Sequence, residues 1–86
     1  IPHVDFALLD ANHTYEGTSS AYNLIQPVLR KESIVAIADI HWSPEMEKAW
    51  NEIRKLPEVK LSFDFYECGI LFFDFPGTKS HYILAF

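Results

Sequence analysis

Two apolar runs in this chain each end on an aspartate, and each aspartate is followed within three residues by a histidine. The first is Phe6-Ala7-Leu8-Leu9-Asp10-Ala11-Asn12-His13, and the second is Ile34-Val35-Ala36-Ile37-Ala38-Asp39-Ile40-His41. Runs this continuously apolar suit strands of a parallel sheet with both faces buried. A strand, a crossover helix and a second parallel strand need about 30 residues or more, and the separation of Asp10 and Asp39 meets that. Between them, Ala21, Leu24, Ile25, Val28 and Leu29 fall on one face of a helix expected from about Thr18 to Arg30. Thr18 or Ser19 is its expected cap. Pro27 shortens its last turn, and Lys31-Glu32-Ser33 is the turn back to the second strand, which is expected over Ile34 to Ile40. Parallel pairing then carries both aspartates to one edge, beyond the carboxyl ends of neighbouring strands. That edge is where open α/β sheets bind ligands.

The rest of the chain reads as one more helix and a ribbon of strands. Ser43 is a good cap, Pro44 suits the first helical position, and Glu45 and Glu47 favour the positive end of the helix dipole. Met46, Ala49, Trp50, Ile53 and Leu56 form the apolar stripe, and Pro57 stops the helix. From Val59 the period switches to two. Val59, Leu61, Phe63 and Phe65 are expected on the buried face, and Lys60, Ser62, Asp64 and Tyr66 on the wet one. Glu67-Cys68-Gly69 is the expected turn, Ile70 to Phe75 the antiparallel return, and Tyr82 to Phe86 a last short strand. The expected order is β-α-β-α-β-β-β in a single α/β unit spanning residues 1–86.

Composition narrows the function classes. The net charge is −5 and the seven Lys and Arg are scattered, so no basic stripe is offered to a phosphate backbone. The single cysteine, Cys68, rules out an internal disulfide framework and suits a reducing compartment. No apolar run reaches the length of a membrane span. A cytoplasmic soluble protein, without nucleic acid or membrane, is the expectation. The 86 residues are 49% hydrophobic with seven Phe, rich for so short a chain. With Ile1 entering a strand almost at once, this reads as part of a longer protein.

The segment Leu9-Asp10-Ala11-Asn12-His13-Thr14-Tyr15-Glu16-Gly17 is similar to the DAxHxYEG stretch after the fourth strand in one bacterial branch of the class I S-adenosylmethionine-dependent methyltransferases. Ala38-Asp39-Ile40-His41-Trp42-Ser43-Pro44 is similar to the DIHWSP stretch after the fifth strand of that branch. The following helix and a hairpin around Gly69 continue the match, so the chain resembles the C-terminal half of that fold, a partial Rossmann-like methyltransferase sheet with a terminal antiparallel hairpin. The resemblance implies methyl transfer from S-adenosylmethionine to a small acceptor, most simply an oxygen nucleophile. It implies Asp10 and Asp39 at positions that hold a divalent cation such as Mg²⁺ in metal-dependent members. Asn12, Glu32-Ser33 and Ala38 depart from the family pattern. The glycine-rich loop that approaches the cofactor has no counterpart among Gly17, Gly69 and Gly77. The N-terminal, cofactor-binding half is thus expected elsewhere. Self-association or pairing with that half follows, with little or no S-adenosylmethionine binding by this piece alone.

Read by chemistry, His13, Asp10 and Asp39 are the candidate catalytic groups. An imidazole is a general base near neutrality, and two carboxylates could hold a cation beside it. His41, Trp42 and Tyr15 are the candidate substrate contacts, Trp42 by stacking on a ring. His41 could equally position the helix that follows. His3 and His81 read as surface residues. Two other readings stay open. One is a metal-dependent hydrolase using Asp10, His13, Asp39 and His41 as ligands. The other is a non-catalytic module that pairs through a sheet edge.

Overall fold

The structure, a computed structural model, describes residues 4–10 and 13–84. His3, Ala11, Asn12 and the expected last strand's final residues, 85–86, lie outside the described residues. The elements run β1 (Val4–Leu9), α1 (Tyr15–Ile25), a 3-10 turn (Gln26–Val28), β2 (Leu29–Ala38), α2 (Pro44–Arg54), β3 (Leu61–Asp64), β4 (Cys68–Phe72) and β5 (Ser80–Ile83). The five strands form one mixed sheet in the order β1-β2-β4-β3-β5. β1 and β2 are parallel, with Leu9 opposite Ile37. β4 is antiparallel to both β2 and β3, so the hairpin's return strand is inserted between them. β5 lies parallel to β3 at the far edge.

Local chemistry explains where the helices start. Ser43 has extended backbone and its Oγ accepts from Met46 N–H at 3.2 Å, with Pro44 next in line. This is the expected cap. The first helix begins earlier than its sequence pattern implied. Thr14, not Thr18 or Ser19, is the cap, accepting from Gly17 N–H at 2.9 Å. The buried face runs through Thr18 and Tyr22, with Ala21 and Ile25 of the expected stripe packed against the core, and Leu24 is left 81% exposed. Thr18 is buried where its hydroxyl meets Met46 Sδ at 3.3 Å, joining the two helices. The α-helix ends at Ile25, short of the expected Arg30, and Pro27, whose ring removes a donor, sits in the 3-10 turn that carries the chain on to β2.

The expected turn at Lys31-Glu32-Ser33 is a bulge inside β2. The chain is already paired at Leu29, opposite Val4, and pairing resumes at Ile34 opposite Phe6. Ser33 is buried and its Oγ accepts from Arg30 N–H at 2.8 Å, so a side chain supplies the bond that the ladder omits.

Both helices cover one face of the sheet. The core there joins Leu9, Val35, Ile37, Leu71 and Phe73 to Tyr22, Trp50 and Ile53. Gly69 on β4 lies directly beneath the Trp50 indole, and a Cβ added at Gly69 would overlap that ring. The opposite face, through the register, carries Phe6, Leu8, Ala36, Ile70, Phe72, Phe63 and Tyr82. No described helix covers it. Phe6 is 62% and Leu8 59% exposed, so β1 is an edge strand with one buried face rather than a strand buried on both.

The alternation in β3 is inverted relative to expectation. Ser62 and Asp64 are buried, whereas Leu61 and Phe63 are half-buried on the open face. The period of two is right, but hydropathy pointed to the wrong side. The polar pair faces the helices because partners wait there. Ser62 Oγ pairs with His81 Nδ1 at 2.7 Å, and Asp64 with His41. His81 is accordingly half-buried beside Trp50, not a surface residue.

Two substitutions test this packing. Ser43→Ala should cost about 1 kcal/mol by loss of the cap. Gly69→Ala should cost about 1–3 kcal/mol because the new methyl displaces a close-packed indole. Urea unfolding of each variant measures both, and a Gly69→Ala midpoint equal to that of the parent chain would contradict the close approach.

Candidate functional site

Parallel pairing of β1 and β2 brings Asp10 and Asp39 to the same edge, each just past the last residue of its strand. The chain then turns sharply on both sides. His13 and Asp39 both have left-handed backbone, each with φ 58°. For residues other than glycine this costs about 1–2 kcal/mol each. The turns aim the side chains at each other. His13 Nε2 lies 2.7 Å from Asp39 Oδ2. Asp10, His13 and Asp39 each offer a ligand atom, and these atoms all lie within 4.8 Å of one another. Two carboxylate oxygens and one imidazole nitrogen at that spacing are a donor set for a divalent cation. The His13 ring also stacks on Trp42, with centroids 4.9 Å apart.

His41 does not join this group. Its Nδ1 lies 2.7 Å from Glu47 Oε2 and its Nε2 lies 2.7 Å from Asp64 Oδ2, so both nitrogens are committed. Burial works against charge on the ring, but the two carboxylate hydrogen bonds and their charges outweigh it and raise the His41 pKa. The imidazolium satisfies both acids at once. Asp64 also accepts from Tyr66 N–H through Oδ1 at 2.8 Å. His41 thus ties α2 to the β3–β4 turn, which is the positioning role the sequence left open for it. A hydrolase site that needs His41 as a fourth ligand has to break this arrangement first.

Tyr15 stands apart from the aspartates. It opens α1, where its hydroxyl donates to Glu52 and its backbone N–H to Glu45 Oε2 at 3.1 Å, with Lys48 Nζ 4.5 Å from the ring centroid. The hydrogen bond to Glu52 raises its pKa. These contacts fasten the start of α1 to α2 and line a cavity of about 560 Å³ with Thr14, Glu16 and Lys48.

Trp42 lines a different cavity, of about 440 Å³, together with Asp39, His41, Tyr66 and Glu67. Tyr66 and Glu67 carried no signal in the sequence. They arrive because β4 inserts beside β2, which brings the β3–β4 turn to the carboxyl edge. Asp39 N–H donates to the Glu67 carbonyl at 2.7 Å, closing that contact. Asp64 was legible only as a polar residue at a period of two.

No family model matches this chain, and neither a curated protein nor a solved structure matches it. Among the described residues, no helix is long and apolar enough to cross a membrane.

The two best-placed histidines should titrate in opposite directions. His81 is lowered, first by burial and then by the nearby Arg54 charge, while Asp64 opposes. Between its folded pKa and the ordinary value of about 6.5 the unfolded chain binds more protons, so this group contributes a stability that rises with pH. For His41 the sign reverses: its contribution is complete below about 6.5 and is lost as pH rises through its higher folded pKa. Proton NMR titration of the ring signals should place His41 above, and His81 below, a random-coil histidine. The reverse order would refute the contacts described.

Proposed function

We propose that this chain forms the acceptor side of a methyltransferase active site, in which an S-adenosylmethionine methyl group passes to an oxygen of a small molecule. The observation that carries the reading is the convergence of Asp10, His13 and Asp39 at the carboxyl edge of two parallel strands. A site defines a function better than a fold does. The sheet supports it too, since the two aspartate-ended strands are followed by an antiparallel hairpin, as the resemblance to the C-terminal half of a Rossmann-like methyltransferase sheet implies.

The chain's own groups divide the work. With Nε2–H donated to Asp39, the His13 imidazole is held in the tautomer whose Nδ1 is the base. It can then take the proton of an acceptor hydroxyl. Asp10 and Asp39 offer hard carboxylate oxygens within 4.8 Å of each other that suit Mg²⁺, which leaves His13 to serve as the base rather than as a ligand. Such a cation, when bound, would favour the alkoxide form of an acceptor oxygen. S-adenosylmethionine itself finds no cradle here. Gly69 is packed under Trp50 and Gly77 lies in a loop beside Phe75, so neither forms a glycine-rich turn. In this reading the donor side belongs to a partner segment or chain.

A metal-dependent hydrolase would instead take all three, Asp10, His13 and Asp39, as ligands, and their spacing is the observation that favours it. One experiment separates the two. The chain, together with the segment or partner that supplies the donor side and with Mg²⁺ or Mn²⁺, is offered labelled S-adenosylmethionine with small hydroxyl compounds in one assay and a generic phosphoester in another. Methyl transfer that falls at least about 10²-fold in His13→Gln is expected if His13 is the base. Phosphoester cleavage without methyl transfer would replace this reading by the hydrolase.

Cation binding has its own test. Calorimetric titration should show one site, with Asp39→Asn weakening it by about tenfold or more, since the carboxylate is both ligand and partner of His13. Equal affinity in the variant would remove the cation from the proposal. The uncovered Phe6 and Leu8 face extends the same reading to a second surface, to be closed by association. Sedimentation of the parent chain should depend on concentration, and Phe6→Lys with Leu8→Lys should abolish that dependence.

A further inference from the structure

The three described non-glycine residues with left-handed backbone are His13, Asp39 and Tyr66, the last with φ 71°. Asp39 and Tyr66 line one cavity, and His13 stacks on Trp42, which lines it too. Strained backbone of this kind persists where the surrounding structure holds it, and it gathers at ligand sites. Two large aromatic rings line the same cavity and are largely open to water, Trp42 at 66% and Tyr66 at 69% exposed. Each ring is backed by an imidazole: His13 stacks on Trp42 at 4.9 Å, and His41 on Tyr66 at 5.2 Å. Each ring therefore has one face supported and the other available. The cavity of about 440 Å³ falls within the range of small-ligand sites, roughly 300–1,000 Å³.

Charge selects among possible ligands. The faces of aromatic rings carry negative quadrupole potential and attract cations. Asp39 and Glu67 share the lining, and none of the described residues there is a lysine or arginine. His41 brings no net positive field, because Glu47 and Asp64 flank its two nitrogens and outweigh its single charge. The lining thus offers two π faces and two acids to whatever enters.

We propose that the cleft between Trp42 and Tyr66 binds an organic ammonium group, with the rings contacting its alkyl shell and the Asp39 and Glu67 carboxylates balancing its charge. This names the chemical class of the small molecule whose hydroxyl meets His13, and for that role it rests on the function proposed above. The binding itself needs neither donor nor turnover.

The probes are choline and its uncharged isostere 3,3-dimethylbutan-1-ol, which share shape and a hydroxyl and differ in charge. The readout is the Trp42 indole N–H signal in nitrogen-15 NMR, assigned by its loss in Trp42→Phe, with the Trp50 signal as the internal check on folding. Choline should shift the Trp42 signal saturably, and the alcohol should bind at least about tenfold more weakly, as expected of a cation–π pair of rings. Tyr66→Asn keeps a residue that tolerates the left-handed backbone and should weaken choline several-fold, as should Glu67→Gln. Equal binding of the two probes would overturn the proposal in favour of a plain apolar cleft. So would a Trp42 shift that tracks protein concentration and ignores choline, which would mean that the rings meet another copy. No response to choline at all would also overturn it. Methyl transfer to uncharged hydroxyl compounds without choline binding would sink the ammonium site alone. Choline binding without any methyl transfer once the donor side is supplied would leave the site standing and sink the reaction.

Discussion

β2 is hydrogen-bonded on both sides, to β1 in parallel and to β4 in antiparallel register, and the rest of the molecule is arranged around that strand. The parallel partner places Asp10 beside Asp39. The antiparallel partner runs back along the other flank and leaves its preceding turn, with Tyr66 and Glu67, at the same edge. One strand thus collects side chains from three distant parts of the chain. Its inward residues Val35 and Ile37 are fully buried, which anchors it under the helices.

Trp50 shows what holds the helices to that sheet. The indole occupies the space above Gly69, where any side chain on β4 would exclude it. Its Nε1 is buried without a hydrogen-bond partner, a loss of about 1–3 kcal/mol. Fully burying a side chain of this size offsets that loss, since cutting a core Trp or Phe back to Ala costs about 3–5 kcal/mol. The polar contacts beside it are more specific. Ser62 with His81, and Asp64 with His41 and Tyr66 N–H, place hydrogen bonds on the face a simple alternation would give to hydrocarbon. A satisfied buried polar pair is tolerated, and it pins the register of β3 because a one-residue slip would drive both acid and hydroxyl into the open apolar face.

The edge that results has two chemically different neighbours. On one side of Asp39 lie Asp10 and His13, a carboxylate and an imidazole. On the other lie Trp42, Tyr66 and Glu67, an aromatic and acidic cleft. Asp39 belongs to both. Its left-handed backbone is what lets one residue finish a strand, accept His13 through its side chain and donate its N–H to Glu67.

Much of this follows from local pattern alone. The two aspartate-ended runs, the α2 cap at Ser43 with Pro44 behind it, the stripe through Met46, Ala49, Trp50 and Ile53, and the element order all reflect short-range rules of periodicity, capping and turn chemistry. These act within a few residues, so a single chain displays them. Other features were decided by tertiary contact. Thr18, expected as a cap, is instead buried against Met46 on the other helix. The face of β3 inverted because His41 and His81 supplied partners for Asp64 and Ser62. His41 left the metal-type cluster because Glu47 and Asp64 claimed both its nitrogens, while Tyr66 and Glu67 entered the edge because β4 chose the slot beside β2. Periodicity tells which residues share a side. Only the assembled sheet determines what waits on that side, because strand order and long-range hydrogen-bond partners are set by packing between segments that no local rule connects.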